Sequence, residues 1–532
     1  MKKMYAAKTA SRGIAIAPVY LYQEPELTAD QTQGQVIAAD VEKEKFDNAK
    51  EQVIAELEKL ASENEVFAAH MEIAGDFTLT DRVFELIDGG DNAQMAVERA
   101  IQELVAVFES MDDAYMRERA TDMKDVGKRL LAALKGVSLP DLGTIDHEVI
   151  LVAKDLFPSD TIKINPQYVC GIITEQGGIT SHVSIFAKNK NIPILVGVKG
   201  ILDSVQDGVL VCMDAESGEI IIDSTREEEE QYRKKQEAYA DAQEKRKQLR
   251  TVAPMTKDGR RIRLCANAGN TQDVKNAVDM CADGIGLFRS ESLYMEKDHF
   301  PTEDEQFEVY RKAAELMPQE LTIRTLDIGG DKTLPYYTFE KEDNPFLGWR
   351  AIRISLEMKD MFKQQLRAIL RASHYGHIRI MFPMIISMEE LTEAKRLVEE
   401  CKEELRKQDL PFDEQIETGM MMETPASVML AEQFAKEADF FSIGTNDLTQ
   451  YMLAVDRGNK KIAAMYDSFH PAVLAAIGKI IEAAHKEHIT VGMCGEMAGD
   501  PKAVPVLLQM GLDEFSVSAS SLDYTRELIL EN

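Results

Sequence analysis

Eight times between about residue 253 and the C-terminus, a short apolar or β-branched run gives way to a stretch of helical periodicity. The runs lie at 262–266, 284–287, 321–325, 378–382, 418–422, 440–443, 490–493 and 514–517. Most are followed by an amphipathic pattern, such as 389–406 or 471–485. Eight βα units in about 280 residues predict a (β/α)8 TIM-type barrel, a fold whose chemistry sits at the C-terminal ends of its strands.

Reactive residues collect at those ends. Asn267 follows the first run and Arg289 the second, Arg324 and Asp327 end the third, and Glu423 ends the fifth. Asn446 and Asp447 follow the sixth, and Cys494 ends the seventh. Arginine offers a planar fork to phosphate or carboxylate, so Arg289 and Arg324 are a candidate clamp for a small, highly anionic substrate. Glu423 and Asp447 are hard oxygen donors that suit octahedral Mg2+ together with substrate oxygens and water. They equally suit pairing with the arginines, and spacing does not choose between the two. Cys494 is either a proton donor or an inert buried thiol.

The rest of the 532 residues changes character several times, as a length worth three or four domains predicts. Residues 1–25 hold one strand candidate at 13–20. Residues 26–137 turn helical: Phe46, Val53, Leu57 and Leu60 recur at helical spacing, and further helical stretches run over 96–111 and 115–134. With few Gly or Pro, that region predicts a helical bundle. Residues 138–223 carry short strands at 149–153, 169–174, 194–196, 209–213 and 219–222, a compact α/β domain. The 13–20 strand can pair into it, which makes the bundle an insertion.

Within that domain GGITSH, residues 177–182, puts a two-glycine turn before Thr180, Ser181 and His182 at the start of a helix. Imidazole at a helix N-terminus is a competent phosphoryl acceptor, although a Thr-Ser cap beside an incidental histidine reads the same way. Residues 224–250 contain no Gly or Pro and almost nothing apolar, with acids first and bases last, which complements a helix dipole. They predict a linker helix of about 25 residues, spanning roughly 38 Å through solvent, or else a solvated surface helix.

Asp and Glu number 92 against 61 Lys and Arg, a formal net charge of −31. Such a surface repels nucleic acid and anionic lipid and attracts a basic protein. No run approaches the ~18 apolar residues of a membrane span, and Lys8 and Arg12 interrupt any leader-like apolar stretch. The six cysteines, 170, 212, 265, 281, 401 and 494, form no CxxC pair, which argues against a disulfide framework or zinc ribbon. A soluble protein of the reducing cytoplasm is expected.

Together, several strings resemble the enzyme I family of the bacterial phosphoenolpyruvate-dependent sugar phosphotransferase system. GGITSH resembles its phosphohistidine loop, which implies that His182 is the phosphorylated residue. GLFRSESLYM (286–295) and RTLDIGGDK (324–332) imply phosphoenolpyruvate-binding roles for Arg289 and Arg324. NPFLGWRAIR (344–353) adds Arg350, and METPAS (422–427) implies a metal-ligand role for Glu423. SIGTNDLTQYMLAVDRGN (442–459) supplies Asn446, metal ligand Asp447 and Arg457, and GMCGEMAGD (492–500) makes Cys494 the proton donor.

The resemblance implies a swivelling phosphohistidine domain (1–25 and 138–223), an inserted bundle that docks the carrier protein HPr (26–137), a linker helix (224–252), and a barrel that binds phosphoenolpyruvate and dimerises (253–532). The implied reaction passes the phosphoryl group from phosphoenolpyruvate to His182, with Mg2+ bound and pyruvate released, and then to a histidine of HPr. Rival readings are a dikinase- or synthase-type phosphoenolpyruvate enzyme, for which no nucleotide loop is present, and a silent HPr-binding regulator, for which the reactive residues are needlessly complete. Three departures stand out. Lys188 occupies a position where the family's loop commonly has Arg, and Ala114 one where an acid is usual. Only LDYTRELILEN follows SVSASS (516–521), so an incomplete eighth helix and an uncovered seam are expected, with either a weakened homodimer or a partner subunit covering that seam.

Overall fold

A computed structural model gives the fold. It describes every residue except 1, 6–7, 24, 26, 28, 30–37, 62–64, 111–113, 179–180, 296, 331, 333, 335 and 460, and every remaining side chain except those at 2, 5, 65–66, 109–110, 114–118, 182 and 189. The expectations at Thr180, at Ala114 and at the His182 ring therefore lie outside the described residues or side chains. The chain divides into two compact units, Met1–Gln243 and Glu244–Asn532.

In the first unit an 8-stranded sheet runs in the order Lys2–Tyr5, Glu219–Ile222, Leu210–Asp214, Ile14–Tyr22, Val149–Ala153, Val169–Thr174, Ile194–Val196, Lys8–Ser11. The middle four, Ile14–Tyr22 through Ile194–Val196, are parallel, and the strands flanking them pair antiparallel. The sequence analysis expects only one strand before the bundle, so Lys2–Tyr5 and Lys8–Ser11 are corrections. Both have four residues and sit at the sheet's edges, where backbone pairing to Glu219–Ile222 and to Ile194–Val196 replaces hydrophobic alternation as the organising force.

Between the neighbouring strands Ile14–Tyr22 and Val149–Ala153 the chain departs into the helices Ala39–Ala61, Glu65–Gly75, Phe77–Asp88, Ala93–Ser110 and Ala114–Lys135. Phe46, Val53 and Leu57 meet Val83, Val97, Ile101, Val126 and Leu130 in their shared core, with Leu60 at its margin. The inserted bundle is pinned to the α/β body through a buried group. The Tyr22 hydroxyl donates to Asp160 Oδ1 at 2.7 Å, and Lys128 Nζ donates to the Tyr22 hydroxyl at 3.3 Å.

The polar segment forms the helix Arg226–Gln248, with Glu227–Glu229 in its first turn and Lys245–Lys247 in its last. It is not wholly solvated. Tyr232 is buried, its hydroxyl donating to Glu219 at 2.8 Å, and Lys235 pairs with Asp214 at 3.0 Å, so these turns lie on the sheet of the first unit.

The second unit is a closed barrel of parallel strands: Arg263–Ala268, Ile285–Arg289, Leu321–Arg324, Ile378–Phe382, Glu417–Met422, Phe440–Ile443, Thr490–Met493 and Glu514–Val517. Isoleucines and leucines on the outer strand faces pack beneath the helices. Leu287, Met381, Met421, Phe440 and Cys494 fill the interior. The N-terminal end is closed by buried ion pairs, with Arg379 stacked 3.8 Å above the Phe440 ring centre and paired with Glu320 at 3.2 Å, and Arg263 paired with Glu514 at 3.4 Å.

The expected uncovered seam is not there. The last residues form a helix, Leu522–Glu531, that packs on the helix Ala503–Met510 and on the first barrel strand, with Leu522 and Ile529 fully buried. Arg526 ties it down by donating to the carbonyls of Val252 (2.7 Å) and Cys281 (2.6 Å), and Arg250 chelates Asp523. Leu522, Thr525, Arg526 and Ile529 mark the face of this helix that the barrel buries. Ile529→Ala should cost about 2–4 kcal/mol, a large-to-small change at a closed site. An unchanged denaturation midpoint would show that this helix does not hold the barrel together.

Candidate active site

The barrel mouth brings most of the predicted residues together. Arg289 and Arg324 end the second and third strands, Glu423 follows the fifth, and Cys494 follows the seventh. Asn446 and Asp447 open the helix Thr445–Leu453 after the sixth. Arg324, Arg350, Glu423, Asp447 and Cys494 are buried, whereas Arg289 and Arg457 are exposed. Asn267 lies within the first strand rather than beyond it.

Asp327 organises the cations. Its Oδ1 accepts from Arg350 Nη2 at 2.9 Å, and its Oδ2 lies 3.1 Å from Arg324 Nη2 and 3.2 Å from Lys332 Nζ. These three neighbours outweigh burial and hold the Asp327 carboxyl well below its usual range. Glu291 also pairs with Arg324, and with Lys332 at 3.3 Å. Burial alone would lower the Arg324 pKa, but Glu291 and Asp327 raise it, so the guanidinium stays charged. Arg350 also donates to Asp447 Oδ2 at 3.2 Å and to the Tyr451 hydroxyl at 3.1 Å, so it spans two carboxylates.

The carboxylate pair fits a divalent cation. Glu423 Oε1 accepts from the Met384 N–H at 2.7 Å, while Asp447 Oδ1 is buried with no hydrogen-bond partner among the described residues. Burial first, then Asp447 and Asp327, push the Glu423 carboxyl up to about 8 against the opposing pull of Arg324 and Arg350. Gly444 permits the approach, since a Cβ there would stand 2.8 Å from Glu423 Oε2. An orphaned oxygen beside a second hard oxygen donor is what a dication requires.

Cys494 completes the mouth. Burial raises its thiol pKa, while the Ser442 hydrogen bond and the charges of Arg324 and Arg289 pull the other way, so the group is a neutral acid near pH 7. Arg457 is not drawn into the ion-pair network. Its N–H donates to Gln450 Oε1 at 3.2 Å, and its charge is felt by Tyr466, whose hydroxyl donates to the Asn446 carbonyl at 3.1 Å.

In the first unit the strand Val169–Thr174 leads through the loop to the helix His182–Lys190. Gly177 takes φ +95°, a conformation that L side chains avoid. Ser181 is the N-cap residue, but its hydroxyl donates to the Gly178 carbonyl at 2.8 Å instead of accepting from the first turn. Ser184 donates to the same carbonyl at 2.7 Å. His182 thus begins a helix whose first turn is not closed off by a side-chain cap.

Family models match the chain in order: PEP-utilising enzyme, N-terminal, over residues 6–119; PEP-utilising enzyme, mobile domain, over 145–218; and PEP-utilising enzyme, PEP-binding domain, over 243–532. The chain belongs to the PEP-utilising enzyme family. Among its relatives, the phosphoenolpyruvate-protein phosphotransferase of Bacillus subtilis (strain 168) is 45% identical over 524 residues, 96% of this chain and 92% of that protein. The protein of the same name from Geobacillus stearothermophilus is 47% identical over 526 residues, 96% of this chain and 90% of that one. Two members of the ion-pair cluster at the barrel mouth, Glu291 and Lys332, escape the sequence analysis although both lie inside its quoted strings. Glu291 is 33 residues from Arg324 and 41 from Lys332, and nothing local reveals either contact.

Proposed function

We infer that the chain is a phosphoenolpyruvate-protein phosphotransferase, taking the phosphoryl group of phosphoenolpyruvate onto His182 and passing it to a histidine of HPr, with release of pyruvate. The reading is supported by one combination: a mouth of buried arginines, paired carboxylates and a neutral thiol, in a chain 45% identical to a protein of that name.

On this reading Arg289, Arg324, Arg350, Arg457 and Asn446 bind the phosphoryl and carboxylate groups, with Asp327 and Glu291 aiming the buried guanidinium of Arg324. Glu423 and Asp447 would hold Mg2+, which supplies charge neutralisation to a phosphoryl group already crowded with oxygens. His182 attacks the phosphorus in line, and Cys494 gives its proton to the methylene carbon of the leaving enolate. The protonation makes the transfer effectively downhill. One histidine serves two partners in turn, which demands a mobile domain: we assign residues 1–25 and 138–223 to it, 26–137 to HPr docking, 224–252 to the linker and 253–532 to substrate binding and dimerisation. With the eighth helix in place, no weakening of the dimer follows from an uncovered seam. No helix among the described residues is long and apolar enough to cross a membrane, in keeping with a cytoplasmic enzyme.

With Mg2+ and excess phosphoenolpyruvate, the chain alone should yield about one equivalent of pyruvate, and adding HPr should convert this into continuous turnover. The carrier-dependent rate should fall as salt rises, since an acidic bundle steers a basic partner. Continuous turnover without a carrier would overturn the assignment.

A further inference from the structure

The proposed proton donor is held from two directions. The Cys494 carbonyl accepts from Asn267 Nδ2 at 3.0 Å, and the Ser516 hydroxyl donates to Asn267 Oδ1 at 2.7 Å, so the turn after the seventh strand is pinned to the first and eighth. The thiol itself points toward the Ile443 carbonyl, with Sγ 3.8 Å from that oxygen, and a second group holds it from another side. Ser442 Oγ lies 3.3 Å from Cys494 Sγ with the hydroxyl donating, and among the described residues it has no other hydrogen-bond partner. Ser442 is 3% exposed and shares the inward face of its strand with Phe440, which lines the barrel interior beside Cys494. A buried serine whose sole described partner is the sulfur asked to change charge calls for an explanation beyond packing.

We propose that Ser442 is a positioning residue for the proton-transfer step, aiming the Cys494 thiol and then hydrogen-bonding the thiolate that remains. This rests on the reading of Cys494 as proton donor. In that step the S–H bond breaks and its proton forms a new C–H bond at the methylene carbon, using the enolate's π pair. The enolate oxygen becomes the ketone oxygen of pyruvate, and the negative charge passes to sulfur. A proton from solvent restores the thiol before the next turnover. A hydrogen bond to an anion is roughly twice as strong as one to a neutral acceptor, so the Ser442 contact gains strength as the proton leaves. Interactions that strengthen along the reaction lower its barrier, whereas uniform ones do not.

The test is a double-mutant cycle on the full chain with HPr and Mg2+, reading kcat, KM for phosphoenolpyruvate and the solvent deuterium isotope effect. Ser442→Ala should lower kcat roughly tenfold, less than the ~10²–10³ lost with a donor to an oxyanion because sulfur accepts more weakly. KM should stay within about twofold, and the isotope effect should rise as proton transfer becomes limiting. In a Cys494→Ala background the same substitution should change nothing further. Equal losses from Ser442→Ala in both backgrounds, or a KM effect with an unchanged isotope effect, would make Ser442 a packing residue and overturn the proposal. Wild-type kcat in Cys494→Ala alone would instead overturn the reading of Cys494 itself.

Discussion

His182→Ala should lose all detectable labelling by [32P]phosphoenolpyruvate, a fall of at least about a thousandfold. The residue proposed as acceptor and the residues proposed to hold substrate lie in different units, at the start of the helix His182–Lys190 and at the barrel mouth. Among the described residues at that helix start, Ser181 and Ser184 both commit their hydroxyls to the Gly178 carbonyl. Phosphoenolpyruvate affinity, followed by calorimetry with Mg2+, should change less than about twofold, because binding and transfer use different side chains. A variant that still accumulates label would move the phosphoryl acceptor elsewhere.

Glu423→Gln should lower kcat by roughly 10³-fold, equivalent to about 4 kcal/mol of lost charge stabilisation at a phosphoryl group. The same substitution should leave the metal-free protein at least as stable. Glu423 is 1% exposed, and burial and its acidic neighbours push its carboxyl up to about 8, so ionising it costs stability as pH rises through that value. Glutamine keeps an oxygen for the Met384 N–H and removes the charge. Thermal unfolding separates the two effects. Mg2+ should raise the midpoint of the wild type and leave that of the variant unmoved. A variant that still gains stability from Mg2+ would place the metal away from Glu423.

Much of this fold is legible from pattern alone, and the reasons differ by element. The strand Ile378–Phe382 is buried at every position, and Phe440–Ile443 likewise, so a mostly apolar run bounded by His377 or Asp439 marks each despite the buried Arg379 and Ser442. The first barrel strand extends to Ala268 because pairing with the second carries it past Asn267, a residue that reads as loop. Lys2–Tyr5 and Lys8–Ser11 have no local signal, being created by the edges they complete. At the mouth, Arg324, Glu423, Asp447 and Cys494 are legible because strand ends are where a barrel keeps its chemistry. Their alignment is not. Asp327 reaches Arg350, 23 residues on, when the connection after the third strand folds back, and Ser442 reaches Cys494, 52 on, across the paired sixth and seventh strands.

The central claim is that phosphoenolpyruvate phosphorylates this chain on His182. The most direct measurement incubates the wild-type protein with phosphoenolpyruvate and Mg2+, quantifies pyruvate, and maps the modified peptide by mass spectrometry under conditions that preserve phosphohistidine. The prediction is one acid-labile phosphoryl group per chain, carried on His182, with an equal amount of pyruvate released and loss of the label when HPr is added. Pyruvate formed without any phosphoryl group on the chain, or an acid-stable phosphate on another residue, would contradict it.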